Sequence, residues 1–250
     1  APEDGGGRVG IIMNGSPLFN GAAESGPSNI RKWLLENDLV EAIVALPTNM
    51  FFNTGIATYI WILDNTKHPD RQGKVQLIDG TSFWTRMRPS LGSKNREISD
   101  DDRAKIVQLY ADFEEADPDL SKVLKSNEFG YWNIAVERPL MEDGKPVVDR
   151  KGNPKPDSKK RDTENVPFTY GDSTAGAEAE REVIQAYFDA EVKPHVRDAW
   201  IDWAKTKIGY EIPFTRHFYR YVPPRPLAEI DADLEKQVAK ILDLLREVEQ

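Results

Sequence analysis

The chain has 250 residues, no cysteine, 30% charged side chains and a formal net charge of -9. Its length allows one large domain or two ordinary ones, and its 39% apolar residues are enough for a core, which excludes wholesale disorder. The lack of cysteine excludes disulfides, thiolate zinc sites and cysteine nucleophiles. No apolar run reaches the roughly 18 residues of a membrane helix and residues 1–7 do not form a secretory signal, so we predict a soluble intracellular chain without membrane contact. Because self-sufficient nucleic-acid-binding modules are usually basic, the acidic charge predicts that any nucleic-acid contact is local or shared with a partner.

The first part of the chain carries the pattern of a strand, a helix and a second strand. Residues 9–13 are an apolar run closed by the turn signal Asn14-Gly15, which predicts a buried strand. Ser28 can cap a helix that carries Trp33, and residues 40–46 form a second buried strand. This spacing predicts one right-handed parallel unit of an α/β sheet.

Two further strands are predicted at residues 56–63 and 75–79, and their spacing favours a hairpin. No strand-rich segment follows them, so the first 80 residues resemble the closing half of a mixed sheet. The chain also begins with Ala1 and opens almost directly into a strand pattern. We therefore expect that it is a piece of a longer protein.

The pattern changes after residue 80. Ser99 and the three aspartates that follow it predict a capped helix, because carboxylates favour the positive end of the helix dipole. One face of this helix is apolar and carries Ile106, Leu109, Tyr110 and Phe113. The remaining segments are predicted, in order, as a strand-like aromatic stretch at 127–136, a loop at 139–167, a helix at 177–192, an aromatic irregular stretch at 200–221 and a stiff proline connector at 223–226.

The loop contains a basic segment, residues 150–161, with six basic side chains against one acidic one. It is the place in this acidic chain where phosphate contact is electrostatically favoured. The alternative is an ordinary solvated loop, since lysine-rich Pro/Gly loops are often merely disordered. The candidates for DNA backbone contact are Arg150, Lys151, Lys155, Lys159, Lys160 and Arg161.

Residues 227–248 form the strongest predicted helix. Its apolar residues are spaced 4, 3, 4 and 3 apart, which is the heptad seam of a helix that packs along another one. The seam either packs within its own chain or docks against a partner helix, and its place behind a proline spacer favours a partner. The seam residues are Leu234, Val238, Ile241, Leu245 and Val248.

Other motifs predict no chemistry. Gly5, Gly7 and Gly10 spell G-x-G-x-x-G, but this pattern precedes a strand instead of following one, so we do not interpret it as a dinucleotide loop. The three histidines are scattered without a second ligand at metal spacing, so no metal site is predicted.

Phe51 and Phe52 lie in a loop between two predicted strands. From spacing alone, two such aromatics plug the core. The alternative is a stacking platform for a base at the edge of a nucleotide pocket.

Several blocks of the sequence resemble the later part of the modification (M) subunit of type I restriction-modification systems, which are adenine-N6 DNA methyltransferases. The blocks cover nearly the whole chain, and several are long enough to be specific. They are GRVGIIMNGSPLF at 7–19, IRKWLL at 30–35, AIVALP at 42–47, MFFNTGIAT at 50–58, RDTENVP at 161–167, YFDAEVKPH at 187–195 with DAW at 198–200, and YEIPFTRHFYRY at 210–221.

The resemblance implies an α/β fold, with the closing part of a Rossmann-like methyltransferase sheet followed by a mainly helical C-terminal region. It implies a methyltransferase part at 1–90, a helix and basic loop at 91–175, and a helical region with a partner-binding terminal helix at 176–250. Family members bind S-adenosylmethionine and flip the target adenine out of DNA. By position Phe51 matches the aromatic residue that stacks on this adenine, which leaves Phe52 as a core residue.

The family's glycine-rich cofactor loop and its Asn-Pro-Pro-Phe/Tyr motif do not occur in these 250 residues. We therefore expect no catalytic residue in this chain, no methyltransferase activity of the chain alone and no cofactor binding by it. The implied partners are the specificity (S) subunit, a second M subunit, the restriction (R) subunit and double-stranded DNA, in the cytoplasm of a prokaryotic cell. The alternatives are an acidic, non-enzymatic scaffold that binds a protein through its terminal helix, and an adenine methyltransferase that reads its own site.

Overall fold

The computed structural model describes residue 3 and residues 5–172, 180–221 and 223–248, of which residues 172, 243 and 246–248 are described in the backbone alone. The chain divides into two compact units, Ala1–Phe218 and Tyr219–Gln250. The three regions expected from the resemblance stay a prediction, and the boundary at 175/176 lies outside the described residues.

The strands of the first unit form a five-stranded sheet, a three-stranded sheet and two short hairpins. The five-stranded sheet contains β1 Arg8–Asn14, β2 Val40–Leu46, β3 Thr58–Asp64, β4 Lys74–Asp79 and β7 Ser121–Lys125. The three-stranded sheet contains β8 Gly130–Glu137, β11 Asp162–Pro167 and β12 Trp200–Tyr210. The hairpins pair β5 Thr85–Leu91 with β6 Lys94–Glu97, and β9 Met141–Glu142 with β10 Lys145–Pro146.

Helices occur in both units and confirm, with the sheets, the predicted α/β class. The helices are α1 Ser16–Phe19, α2 Gly26–Glu36, α3 Asp100–Asp112, α4 Glu180–Tyr187, α5 Phe214–Phe218 and α6 Leu227–Val248. A π-helical turn, Phe188–Val192, continues α4 and confirms the predicted helix up to residue 192, whereas its predicted start at residue 177 lies outside the described residues. None of the helices in the described part of the chain combines the length and the apolar character that crossing a bilayer requires.

The large sheet has the order β1-β3-β2-β4-β7. The predicted hairpin of β3 and β4 is wrong, because β2 lies between them, antiparallel to β3 and parallel to β4. All seven residues of β2 are buried, and a strand that is apolar on both faces is stable in the interior of a sheet with a partner on each side.

Two other expectations about this sheet are corrected. The sheet does gain a strand from the later sequence, since β7 pairs antiparallel with β4. β1 runs parallel to β2 as predicted, with β3 between them, but all of its residues are exposed instead of buried. β1 lies at the edge of the sheet, so its residues are exposed although their sequence is apolar.

The three-stranded sheet, with the order β11-β8-β12, was not predicted, and it places one strand, β12, in the C-terminal region that was predicted to be mainly helical. Residues 200–210 are a strand, not an irregular stretch, and the loop predicted at 139–167 ends in β11. The register of β12 on β8 shifts between Asp202 and Lys207. This irregularity interrupts the alternation of apolar and polar residues by which strands are recognised.

One apolar core joins the two sheets. In its centre the buried ring of Phe168 lies 4.4 Å from the Trp132 ring and 5.8 Å from the Tyr210 ring. The buried guanidinium of Arg31 on α2 adds a polar link, since its Nε donates to the Tyr210 carbonyl at 2.6 Å and its Nη1 to the Asn20 carbonyl at 2.8 Å. Through these contacts α2 and β12 are held together across a long stretch of sequence.

The predicted cap of α3 is confirmed. Ser99 Oγ accepts a hydrogen bond from the Asp102 amide at 3.1 Å and donates one to Asp102 Oδ2 at 2.8 Å. The hydrogen bond from Ser99 is also the main reason why the pKa of Asp102 is lowered. Three of the four predicted apolar residues, Ile106, Leu109 and Tyr110, pack on a cluster with Val44 and Ile78, whereas Phe113 lies beyond the helix under the Arg71 guanidinium.

We expect Ser99→Ala to lower the free energy of unfolding by about 1 kcal/mol, because the amide at the third helical position loses its acceptor. Urea denaturation followed by circular dichroism measures the change. Ser93→Ala, in the exposed turn between β5 and β6, is the matched control and should leave stability within about 0.5 kcal/mol. An equal effect of both substitutions would contradict the capping role.

The second unit contains the predicted connector and α6, whose bounds agree with the predicted helix. Arg225 Nη1 contacts Asp233 Oδ2 at 2.6 Å and fastens the connector to the first turns of the helix. The seam residues Leu234, Val238, Ile241 and Leu245 are each more than half exposed, and the side chain of Val248 lies outside the described residues.

Candidate functional site

The candidate site lies where three strands of the large sheet end. β1, β2 and β4 point in the same direction, so their carboxyl ends meet at one edge, which we call the carboxyl edge: Asn14, residues 47–55 and residues 80–84. Ligands of open α/β sheets bind at such an edge. Gly80 permits the close approach of two of its loops, because its amide donates to the Ala45 carbonyl at 3.0 Å and a Cβ there would lie 2.7 Å from that oxygen.

The loop at residues 47–55 exposes one aromatic ring and half-buries the other. Asn49 and Asn53 adopt left-handed backbone conformations with φ of 61° and 56°, and Phe51 and Thr54 form an isolated bridge. Phe51 is half-buried against the apolar cluster below the edge. Phe52 is 61% exposed, so the expectation that it is a core residue is wrong. The loop turns tightly at Asn53, and this turn separates two neighbouring rings that sequence spacing could not distinguish.

The hairpin of β5 and β6 is fastened to this loop. The amides of Asn95 and Arg96 both donate to the Asn49 carbonyl, at 3.1 and 3.3 Å, and Arg96 Nη1 donates to Thr48 Oγ1 at 3.0 Å. The Arg96 guanidinium also lies 3.9 Å from the centre of the Trp84 ring. The sequence analysis did not predict this hairpin, and the signal that could have found it is the two-residue turn Gly92-Ser93.

A tyrosine and an aspartate complete the edge. Burial raises the pKa of the Tyr59 phenol, and the nearby Asp79 carboxylate raises it further, so this tyrosine is a neutral hydrogen-bonding group near pH 7. Asp79 Oδ1 accepts from the Thr81 amide at 3.0 Å and from Thr81 Oγ1 at 2.6 Å. The edge thus combines aromatic rings, a carboxylate and hydroxyl groups, which suit the recognition of a base better than nucleophilic chemistry.

The predicted basic loop at residues 150–161 is only partly free. Arg161 Nε donates to the buried Glu137 carboxylate at 2.6 Å, which Lys205 Nζ also contacts at 2.9 Å. Lys160 lies 3.8 Å from Asp157. The other four candidates, Arg150, Lys151, Lys155 and Lys159, are exposed. Two of the six cations, Lys160 and Arg161, therefore have a carboxylate partner within this chain.

Glu137 makes one of these contacts important for stability. Burial works against its charge, but the hydrogen bonds from Lys205 and Arg161 outweigh burial and lower its pKa. We expect Arg161→Ala to lower the free energy of unfolding by about 1–2 kcal/mol at pH 7, because the buried Glu137 carboxylate loses a charged hydrogen-bond donor. The loss stays in this range because Arg161 itself is partly exposed, so solvent screens the ion pair. Lys159→Ala, a matched exposed loop residue, should change it by less than about 0.5 kcal/mol.

The pH dependence of the stability loss in Arg161→Ala tests whether the ion pair with Glu137 causes it. A carboxylate with a lowered folded pKa stabilises the fold above the ordinary glutamate pKa of about 4.3, and this stabilisation is lost as the pH falls through the folded value. The difference between Arg161→Ala and the parent should therefore shrink in urea titrations below about pH 4. A difference that is constant with pH would show that Arg161 acts by packing alone.

An apolar groove of about 460 Å³ lies beside β1 and α2. Its described lining includes Ile11, Ile30 and Leu63, and its one charged side chain, Arg31, donates to backbone carbonyls. S-adenosylmethionine, which the resemblance implies, carries an ammonium and ribose hydroxyls that call for carboxylate acceptors, and no carboxylate is among the described lining residues. The groove does not fit this cofactor.

The remaining motifs are placed by the structure. Gly10 lies inside β1, so the glycine pattern runs into a strand and not into the helix that a dinucleotide loop opens. Among the described residues, no group of three or more His, Cys, Asp or Glu side chains could hold a metal ion.

The chain matches the model of the N-6 DNA methylase family over residues 3–139, which is more than half of its length and includes the large sheet and the carboxyl edge. It is 32% identical over 110 residues to the methylase subunit of the type I restriction enzyme MjaVIII of Methanocaldococcus jannaschii, covering 44% of this chain and 18% of that protein. It is 36% identical over 103 residues to the HindI methylase subunit of Haemophilus influenzae, covering 40% of this chain and 22% of that protein.

Among solved structures, the chain is similar to the type I restriction-modification methyltransferase subunit of Streptococcus thermophilus, with 26% identity and a TM-score of 0.41 over 49% of this chain and 24% of that one. The chain spans about a fifth of the length of the curated relatives it matches. The match to the family model over more than half of the sequence shows that this chain belongs to the N-6 DNA methylase family.

Proposed function

We propose that this chain works as part of the modification subunit of a type I restriction-modification enzyme, which methylates adenine N6 in a specific DNA sequence with S-adenosylmethionine. The family match over residues 3–139 carries this proposal. In this view the five-stranded sheet is the closing part of a Rossmann-like methyltransferase sheet, and its carboxyl edge receives the flipped adenine.

The chain supplies the edge of the base site but not the reacting groups. The Asn-Pro-Pro-aromatic motif and the glycine-rich cofactor loop do not occur in these 250 residues, and the apolar groove does not fit the cofactor. Phe51 is our candidate for stacking on the adenine. Arg150, Lys151, Lys155 and Lys159 remain candidates for contact with the DNA backbone.

Transfer of a labelled methyl group to adenine tests the proposal. The chain is produced as part of a full-length modification subunit and mixed with the specificity subunit and duplex DNA, and the methylated base is identified after digestion. We expect N6-methyladenine from the complex and none from the 250-residue chain alone. A complex without adenine methylation would contradict the enzymatic proposal, and calorimetric binding of S-adenosylmethionine by the chain alone would contradict its proposed inactivity.

The terminal helix supports the proposal that the chain binds a partner protein. The exposed seam of α6 suits packing against a helix of the specificity subunit, with a second modification subunit and the restriction subunit as further proposed members of the assembly. The same seam also suits a non-enzymatic scaffold, and the methylation assay distinguishes these two functions.

We expect the double substitution Leu234→Ala and Ile241→Ala to weaken binding of the specificity subunit about 100-fold, because two apolar side chains lose their burial in the complex. Isothermal calorimetry with the purified specificity subunit measures the affinity. Lys236→Ala with Lys240→Ala, on the same helix but off the seam, is the control and should change the affinity less than about threefold. Unchanged binding after the seam substitutions would show that the specificity subunit docks elsewhere.

A further inference from the structure

The hairpin of β5 and β6 is the most concentrated basic feature at the carboxyl edge. Residues 85–97 contain Arg86, Arg88, Lys94 and Arg96 against the single acidic residue Glu97. Arg86 and Arg88 are exposed, while Lys94 and Arg96 are partly buried against the loop at residues 47–55. The feature therefore presents positive charge beside Phe52, within a chain whose net charge is -9.

These charges lack the counter-charges that the other basic loop has. Within the described residues, none of the four hairpin cations makes a salt bridge with a carboxylate, whereas Arg161 and Lys160 of the other loop do. Arg86 and Arg96 are direct partners in the antiparallel register, and like charges facing each other across a strand pair destabilise it. An external anion bound at the exposed Arg86 would offset this repulsion between the two arginines.

The hairpin is also positioned for that anion. Its second strand is held by the hydrogen bonds to the Asn49 carbonyl and to Thr48, and Lys94 Nζ lies 5.0 Å from the centre of the exposed Phe52 ring. Cations interleaved with aromatic rings are the pattern of surfaces that follow a nucleic-acid backbone while bases stack beside it. The hydrogen bonds from β6 to Asn49 and Thr48 fix the distance between the cations and the loop that carries Phe51.

We propose that the β5–β6 hairpin binds the phosphate backbone of duplex DNA next to the target base, with Arg86 and Arg88 as phosphate-contacting residues and Lys94 and Arg96 as residues that fix the hairpin to the aromatic loop. This inference rests on the proposed function for the identity of the polyanion. It adds a DNA-contact surface beside the carboxyl edge, distinct from the loop at residues 150–161.

The test measures binding of the 250-residue chain to a fluorescein-labelled 20-base-pair duplex by anisotropy, over a series of NaCl concentrations from 20 mM upward. We expect Arg86→Ala with Arg88→Ala to weaken binding about tenfold near 100 mM salt and to reduce the slope of log K against log salt by about 1 for each residue. Both side chains are exposed, so the fold should persist, and a thermal melt confirms this. Lys236→Ala with Lys240→Ala removes the same charge from the other unit and should leave the slope unchanged.

Besides an unchanged slope after the hairpin substitutions, three outcomes would overturn the proposal. The first is no measurable binding of the parent chain at the lowest salt concentration, and the second is an equal change of slope in both double variants, which would make net charge the cause. The third is equal displacement of the duplex by poly-glutamate at matched charge, which would assign the hairpin to acidic proteins.

Duplex binding needs no methyl transfer, so the two proposals can fail separately. A hairpin-specific change of slope in a protein whose complex does not methylate adenine would reject the methylase function alone. A methylating complex with an unchanged slope after the hairpin substitutions would reject the hairpin alone.

Discussion

Gly130→Ala should destabilise the first unit by about 3 kcal/mol, because the new methyl group would meet a ring that cannot move. A Cβ at residue 130 would lie 2.3 Å from Cε2 and 2.4 Å from Cδ2 of Phe168. Phe168 is 2% exposed and is packed between Trp132 and Tyr210, so it has no space to yield. The backbone of β8 must shift instead, at the position where it pairs with Tyr210 of β12.

Gly209→Ala is the matched control for this substitution. A Cβ at residue 209 would also lie 2.3 Å from a ring atom, but this atom is Cζ at the far end of the half-buried Tyr131 side chain. That side chain can rotate toward solvent, so we expect a loss of about 1 kcal/mol or less. Urea denaturation at pH 7 measures both variants, and equal losses would show that the core around Phe168 is less rigid than the packing indicates.

A second substitution isolates the clash. Phe168→Leu removes the Cε and Cζ atoms of the ring, among them Cε2, which lies nearest residue 130, and alone it should lower stability by about 1–2 kcal/mol. Combined with Gly130→Ala, the total loss should be smaller than the sum of the two single losses, because the leucine leaves space for the new methyl group. Additive losses would contradict steric contact between these two positions as the cause.

Local patterns predicted some elements well. β2 and α6 have the predicted bounds, and the cap of α3 forms as its sequence indicates. Each of these elements depends on interactions between residues close in sequence, or on a run of one residue class. The order of the strands did not follow from such patterns, because the position of β3 between β1 and β2 depends on pairing between distant segments.

The second sheet was missed for a related physical reason. β12 includes Asp202, Lys205 and Lys207, and its register shifts in that region, so neither its composition nor its periodicity is typical of a strand. Lys205 stabilises this strand because it contacts the buried Glu137 carboxylate of β8. A charged residue that stabilises a strand through a distant carboxylate cannot be recognised without knowing that the two strands are neighbours.

The candidate site was predicted in part. The sequence predicted a candidate base-stacking residue, Phe51, in the loop at residues 47–55, and this loop lies on the carboxyl edge. The different exposure of Phe51 and Phe52 depends on the left-handed turn at Asn53, and the contact with the β5–β6 hairpin is made by residues more than 40 positions away. Neither feature has a local signal in the sequence.

Phe51→Ala should reduce methylation by the assembled enzyme about 10- to 100-fold, while the affinity for S-adenosylmethionine changes little. A flipped adenine loses its stacking in the duplex, and an aromatic face restores roughly 1–3 kcal/mol of it, which corresponds to this range of rates. The half-buried position of Phe51 leaves part of the ring available while its other side packs on the cluster with Val44 and Ile78. Methylation rates under single-turnover conditions, together with calorimetry of cofactor binding, measure the two quantities.

Two variants separate stacking from packing at this position. Phe51→Tyr keeps an aromatic face and should retain most of the activity, whereas Phe51→Leu keeps apolar packing and should lose nearly as much activity as Phe51→Ala. With 2-aminopurine at the target position, both Phe51→Ala and Phe51→Leu should alter the fluorescence of the flipped base. If Phe51→Leu is fully active, or if cofactor affinity falls as much as activity, Phe51 is a core residue. If Phe52→Ala loses the activity instead, the exposed ring beside Lys94 is the one that stacks on the base.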